Sequence, residues 1–149
     1  MKQHETSTDL KREQNVIEQV CKWSNSEYVK LPKQYRADYA LHRMNEVVSL
    51  VEVKGRSAEF GKFQNVFIAA HKRAEVLMLA DAMNVKAFVV FAHPNGLYLL
   101  DLDVEPDGCR LIQDSRNRDD RDFEPCVYWH SGFVRKIADG DFFNVNKSC

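Results

Sequence analysis

The fold of this chain is decided by residues 47–54, with the sequence VVSLVEVK. Such a β-branched, mostly apolar run is typical of a buried central strand, and Gly55 ends it. Side chains of a strand alternate between its two faces, so Glu52 and Lys54 share one face, about 7 Å apart along the strand. Charged groups at buried positions must be paired or must hold a metal ion. The stretch therefore predicts both the centre of a sheet and a chemical site.

A second carboxylate precedes this strand. Residues 35–41 are predicted to form a strand carrying Asp38, and the turn at residues 44–46 would bring Asp38 towards Glu52 in a hairpin. Two neighbouring carboxylates repel each other, and a hard divalent cation relieves that repulsion. Lys54 beside the cation would hold a water molecule or a phosphate oxygen. Two alternatives remain open: Asp38 as a polar residue at a strand end, and Glu52 with Lys54 as a surface ion pair contributing about 0–1 kcal/mol.

The rest of the chain predicts alternating helices and strands. Apolar residues recur at helical spacing from about Asp9 to Trp23 and from about Lys62 to Met83, which would be the longest helix. The other predicted elements are a loop at 24–32, strands at 87–92 and 97–100 joined by a tight turn at 93–96, short strands at 109–113, 127–130 and 133–137, and an exposed charged loop at 114–122. The expected fold class is α/β: a central mixed β-sheet flanked by helices, in the order α-β-β-α-β-β, with a short β-rich tail.

The composition is that of one globular domain. We expect a single domain over residues 1–149, with a core at about 9–103 and a C-terminal extension at 104–149. No apolar run reaches the roughly 18 residues of a membrane span, and the polar N-terminus lacks a secretory signal, so a cytoplasmic location is expected. The net charge of −1 argues against an overall basic surface but permits a local basic groove.

Spacing excludes several common kinds of site. The five histidines form no H-x-H pair and no pair four residues apart, which disfavours zinc. The four cysteines are scattered and contain no C-x-x-C pair. There is no G-x-S-x-G, P-loop or G-x-G-x-x-G motif, so the commonest hydrolase and nucleotide-binding sites are absent.

The pattern of Asp38, a short gap, Glu52-Val53-Lys54 at the end of an apolar strand, and a following helix resembles the PD-(D/E)XK nuclease superfamily. The resemblance covers about residues 9–103. It implies a restriction-endonuclease-like core in which Asp38, Glu52 and the carbonyl of Val53 hold Mg²⁺ or Mn²⁺. Lys54 would be the catalytic lysine. The residue before Asp38 is Ala37 where the motif has proline, a variation that the superfamily tolerates.

The resemblance also implies a glutamate on the first helix that acts on the site through water. Glu13 is the expected residue, with Glu18 as the other option and a solvated glutamate as the alternative. The following helix supplies a supporting Gln or Lys in parts of the superfamily, and Gln64 is the residue expected here.

A basic surface is expected beyond the predicted strand. Arg56, Lys62, His71 and Lys72 are the candidate nucleic-acid-binding residues, because phosphate contacts are needed just past the site. A solvated basic helix face remains the alternative for the last two. His71 follows Gln64 by seven residues, which would place both on about the same helix face.

The implied function is hydrolysis of phosphodiester bonds in nucleic acid, with DNA favoured over RNA and an endonuclease over an exonuclease. Small members of the superfamily include junction resolvases and phage-type repair nucleases, which often work as dimers, so the resemblance implies a homodimer that the sequence itself does not show. Two other functions remain open. One is a nuclease fold without catalysis that serves as a nucleic-acid-binding or assembly subunit, and the other is an unrelated α/β small-molecule binder with a deep apolar pocket.

Overall fold

A computed structural model describes residues 7–113 and 123–145 of the 149-residue chain. Within these residues two helices and nine strands alternate. The helices are α1 (Ser7–Ser24) and α2 (Ala70–Met83), and the strands are β1 (Glu27–Lys30), β2 (Tyr39–Arg43), β3 (Glu46–Gly55), β4 (Asn65–Ala69), β5 (Lys86–His93), β6 (Gly96–Asp101), β7 (Gly108–Gln113), β8 (Phe123–His130) and β9 (Arg135–Ala138). Short 3₁₀ helices occupy Lys33–Tyr35 and Ser131–Phe133.

Six strands form the main sheet in the order β1-β2-β3-β5-β6-β9. The central pair β3 and β5 is parallel and the other neighbouring strands are antiparallel, so the sheet is mixed. A helical connection through α2 is required because parallel strands cannot be joined by a tight turn. The expected α/β class with a mixed sheet flanked by helices is therefore confirmed.

The main sheet is covered on both faces. On one face Val16, Ile17 and Val20 of α1 pack on Val51 and Val53 of β3. On the other face α2 and a small sheet of order β4-β8-β7 enclose a second core. Its members include Leu50, Ile68, Val76, Val89, Phe91, Leu100 and Trp129. Glu52 and Lys54 alternate with the α1-facing valines, which directs their side chains to the α2 side.

The predicted helix from about Lys62 to Met83 is wrong in its first third. Residues 65–69, NVFIA, form β4, and the helix begins only at Ala70. Val66 and Ile68 are buried while their neighbours are partly exposed, which is the alternation of a half-buried strand. Pairing with β8 supplies the backbone hydrogen bonds. Gln64 therefore lies before β4 and shares no helix face with His71.

Four other sequence assignments are corrected. The predicted loop at 24–32 contains β1, which pairs with β2 at the edge of the main sheet. The predicted strand at 35–41 begins only at Tyr39, because a 3₁₀ turn and Arg36 at φ 60° precede it. Four strands rather than the predicted two lie between the helices, because β1 and β4 were not expected. The helix ending at Met83 was expected to be the longest, but in the described part of the chain α1, with 18 residues, is longer than α2, with 14.

Other local predictions are confirmed. The turn at Met44 and Asn45 joins β2 to β3 with both residues at positive φ, and the turn before Gly96 joins β5 to β6. β7, β8 and β9 correspond to the three short strands expected in the tail. The predicted charged loop at 114–122 lies outside the described residues. Neither described helix is long and apolar enough to cross a membrane.

Candidate active site

Asp38 and Glu52 meet where β2 begins beside β3. The backbone N–H of Val53 donates a hydrogen bond of 2.8 Å to Oδ2 of Asp38. Tyr39 pairs with Val51 in the antiparallel register, so Asp38, one residue earlier, stands opposite Glu52. The backbone of Asp38 is held as well, since its carbonyl accepts a hydrogen bond of 3.0 Å from the N–H of Leu31. The hairpin thus brings the two carboxylates together.

The carboxyl group of Glu52 is buried and incompletely paired. The residue is 3% exposed, and its Oε1 is buried with no hydrogen-bond partner. Burial and, after it, the negative charge of Asp38 raise the pKa of Glu52 to about 7 against the opposing effect of Lys54 and Lys72. An orphaned oxygen beside a second carboxylate is the environment in which a cation would be stabilised.

Two lysines approach the same oxygen of Glu52. Nζ of Lys54 lies 3.4 Å from Oε2 of Glu52, and Nζ of Lys72 lies 3.8 Å from it. Lys72 also donates a hydrogen bond of 3.2 Å to the carbonyl of Arg36. Lys72 lies in the first turn of α2, and sequence reasoning considered it only for nucleic-acid binding. The signal that could have placed it in the site is the buried position of Glu52, which calls for more positive charge than Lys54 alone provides.

The donor set fits a magnesium-type cation. Among the described residues no group of three or more His, Cys, Asp and Glu side chains converges. Mg²⁺ requires no such group, because it is commonly held by one or two carboxylates and completes its coordination with water and substrate phosphate oxygens. Asp38 and Glu52 are two carboxylates on opposite positions of the hairpin, and Oε1 of Glu52 has no hydrogen-bond partner. The carbonyl of Val53 as a third ligand stays a prediction.

Glu13 is the better placed of the two candidate glutamates on α1. Its Oε1 accepts a hydrogen bond of 3.1 Å from Lys30 and one of 3.3 Å from the hydroxyl of Tyr39, which directly follows Asp38. Glu18 instead accepts a hydrogen bond from Gln14 and lines a separate cavity with residues 141, 142, 144 and 145. The structure thus places Glu13 beside the segment that carries Asp38, but its contact with Tyr39 lies on the α1 face of the main sheet, whereas Glu52 and Lys54 face α2.

The remaining predicted site residues lie in different surroundings. Arg56 is turned inward: its guanidinium donates hydrogen bonds to the carbonyls of Phe67 (2.7 Å) and Gly55 (3.2 Å), and burial lowers its pKa. Lys62 and Gln64 are exposed on the connection between β3 and β4. The structure does not bring Arg56 to the carboxylates.

His71 lies among charged side chains beside the site. Its two ring nitrogens lie 3.6 Å from Glu75 and 3.9 Å from Glu124, and Glu75 also lies 3.7 Å from Arg36. Because the backbone carbonyl of Arg36 accepts the hydrogen bond of Lys72, these side chains adjoin the site through Arg36.

The family of the chain follows from its sequence. Residues 1–136 match the profile of the family described as "Phage putative PDDEXK endonuclease". The chain belongs to this PD-(D/E)XK endonuclease family. The superfamily resemblance drawn from Asp38, Glu52 and Lys54 is therefore confirmed. Curated protein sequences give no match to the chain.

A solved structure supports the fold of this PD-(D/E)XK protein. The chain is similar to Hjc, a Holliday junction resolvase from the archaeal hyperthermophile Archaeoglobus fulgidus, with a TM-score of 0.58. The match covers 86% of this chain and 90% of that one. At 12% sequence identity the similarity establishes the restriction-endonuclease-like fold alone.

Proposed function

We propose that this PD-(D/E)XK protein is a metal-dependent endonuclease that cuts DNA at the site of Asp38, Glu52 and Lys54. The observation that carries the proposal is the unpartnered Oε1 of Glu52, buried beside Asp38 and flanked by two lysines. A purely structural ion pair would leave no carboxylate oxygen unsatisfied in the interior, since such an atom is destabilising.

Mg²⁺ or Mn²⁺ would be held by Asp38 and Glu52, with the carbonyl of Val53 as a further ligand. A cation there supplies positive charge that stabilises the charge developing on the phosphate. The hydrogen bond from the N–H of Val53 engages Oδ2 of Asp38, so Oδ1 of the same carboxylate is not used by that hydrogen bond. The hydrogen bonds of Asp38 to Val53 and Leu31 would hold its carboxylate in place before the substrate arrives.

The two lysines are proposed to have different roles. Lys54, whose side chain is 32% exposed, can reach solvent and is proposed to orient the attacking water and contact a phosphate oxygen. Lys72, at 22%, is held by the carbonyl of Arg36 and is proposed to keep Glu52 ionised. Glu13 is proposed to act on the site through water, and Lys62 and His71 to contact the nucleic-acid backbone.

Branched DNA is the first substrate to test, because the fold is that of a protein named as a Holliday junction resolvase. A homodimer would present two sites to two strands, and sedimentation velocity would measure it.

A second candidate function is an inactive nuclease fold that binds nucleic acid or assembles with other subunits. The net charge of −1 and the inward orientation of Arg56 favour it, since both reduce the positive charge available for phosphates. The two candidates differ in whether metal-dependent cleavage occurs.

The deciding experiment compares cleavage of branched, linear and single-stranded DNA with Mg²⁺ or Mn²⁺ by the wild type, Lys54→Ala and Lys22→Ala. Lys22 is exposed in the last turn of α1 and serves as the matched control. Cleavage that requires metal, disappears in Lys54→Ala and persists in Lys22→Ala supports the proposal. No cleavage of any substrate, together with no Mn²⁺ binding by calorimetry, would favour the inactive subunit.

A further inference from the structure

An apolar groove of about 490 Å³ lies on the α1 side of the main sheet. Its floor is formed by Leu41, Val51, Phe88 and Leu99 from four neighbouring strands. From β3 it is lined by Val48, Ser49 and Val51, whereas Lys54 lies nearer the C-terminal end of that strand. We call it the distal groove. A ligand bound there would leave the proposed cleavage site open.

The walls of the distal groove are aromatic and exposed. Trp23, near the end of α1, is 43% exposed, and Phe133, between β8 and β9, is 53% exposed. Both side chains line the groove, so their apolar surface borders one continuous space. Exposed apolar surface with a polar rim marks an interaction site more often than single exposed residues do.

The rim of the distal groove carries an excess of positive charge. Lys86 pairs with Asp101 at 2.9 Å, which balances one charge. Arg43 donates hydrogen bonds to the carbonyls of residues 24 and 25, and the guanidinium of Arg135 lies 5.1 Å from the ring centroid of Trp23. No carboxylate within 7–113 and 123–145 forms an ion pair with either arginine. Two guanidiniums on one rim suit carboxylates, which they bind in bidentate geometry.

We propose that the distal groove binds a short acidic peptide segment of a partner protein that carries a large apolar side chain. The apolar side chain would enter between Trp23 and Phe133, and the acidic residues would pair with Arg43 and Arg135. Aromatic and arginine side chains are the residues that most often dominate the free energy of such contacts. A second copy of this chain in a two-fold contact would oppose the same arginines, so charge complementarity favours a different, acidic partner.

The test begins with selection of peptides from a displayed random octapeptide library on the full-length protein. The best binder is then labelled with fluorescein and titrated by anisotropy. Phe133→Ser removes a wall and Arg135→Gln removes a rim charge, and both residues are exposed enough for the fold to survive. Met78→Ser on α2, where Met78 is 73% exposed, and Lys11→Gln on α1 are the matched controls outside the groove.

We expect the selected peptides to place Asp or Glu next to Phe, Leu or Trp. Phe133→Ser and Arg135→Gln should each weaken binding about tenfold or more, as for a central interface residue, and added salt should weaken it further. The two control variants should bind like the wild type. Circular dichroism of every variant checks its folding.

Four outcomes would overturn the proposal. The selection could give no enrichment over the bare support, or the enriched peptides could lack acidic residues. The groove variants could bind the peptide as tightly as the wild type does. Finally, sedimentation velocity could show a wild-type dimer that Phe133→Ser dissociates. The last outcome would make the distal groove an interface between copies. The cleavage assay is independent of all four, so the proposed nuclease function can fail or stand separately.

Discussion

The carboxylate of Asp38 accepts a 2.8 Å hydrogen bond from the backbone N–H of Val53, the residue between Glu52 and Lys54. This contact ties the residue before β2 to the C-terminal part of β3 and keeps the charge of Asp38 beside Glu52. The negative charge of Asp38 is one of the causes of the raised pKa of Glu52. The interaction therefore has both a structural and an electrostatic consequence, and the two can be separated by substitution.

Asp38→Asn should abolish cleavage and leave the fold nearly intact, because the amide oxygen can still accept the hydrogen bond of Val53. Asp38→Ala should abolish cleavage as well, but it should also lower the free energy of unfolding by about 1–3 kcal/mol, since the buried N–H loses its acceptor. Cleavage assays and urea unfolding of both variants measure this. Full activity in Asp38→Asn would show that the carboxylate charge is not needed.

The stability of the metal-free protein should depend on pH through Glu52. Its folded-state pKa of about 7 exceeds the ordinary value of 4.5, so the folded state binds more protons between these values. The contribution of Glu52 is therefore most favourable below pH 4.5 and falls as pH rises to 7, by about 3 kcal/mol at most.

Glu52→Gln isolates that contribution. In EDTA the variant should be more stable than the wild type at pH 8. Its free energy of unfolding should also lack the decrease between pH 4.5 and pH 7 that Glu52 causes, because an amide does not titrate. Saturating Mg²⁺ should stabilise the wild type and not the variant. Urea unfolding at pH 5 and pH 8, with and without Mg²⁺, gives all the required differences. Equal pH dependence in the two proteins would contradict the assignment.

Lys72→Met should reduce the rate of cleavage about 10²-fold. The affinity for Mn²⁺ should fall by a smaller factor than the rate, because both Asp38 and Glu52 remain. Removing a cation 3.8 Å from Oε2 should also raise the pKa of Glu52, so the optimum of the pH–rate profile should shift to higher pH. Single-turnover cleavage across pH and calorimetry test this. Lys22→Met is the control, and an unchanged pH profile in Lys72→Met would remove Lys72 from the site.

Arg56→Met should lower the free energy of unfolding by about 1–3 kcal/mol, because the carbonyl of Phe67 loses its donor. The guanidinium also lies over the rings of Phe67 and Phe91, at 4.9 Å and 5.4 Å from their centroids. If Arg56 instead served mainly to bind phosphate, the variant would keep its stability and show weaker DNA binding with a smaller salt dependence. Urea unfolding and DNA titration at two salt concentrations separate these roles.

Local sequence patterns predicted much of the fold. The β-branched run of β3, the apolar stripe of α1 and the turns before β3 and β6 are short-range features, and each formed where its residues indicated. The family match over residues 1–136 and the position of Asp38 opposite Glu52 agree with the motif recognised in the sequence. Periodicity alone misassigned β4, because its apolar residues fit both helical and strand spacing.

The sequence by itself determined the composition of the site: two carboxylates and a lysine at spacings that a hairpin brings together. Only the tertiary structure decided that Lys72 joins them, that Arg56 turns inward and that Trp23 and Phe133 share a groove. In each case the contact joins residues far apart in the chain. Such contacts depend on how helices and sheets pack, because burial sets which charges must be paired and packing sets which partners are within reach.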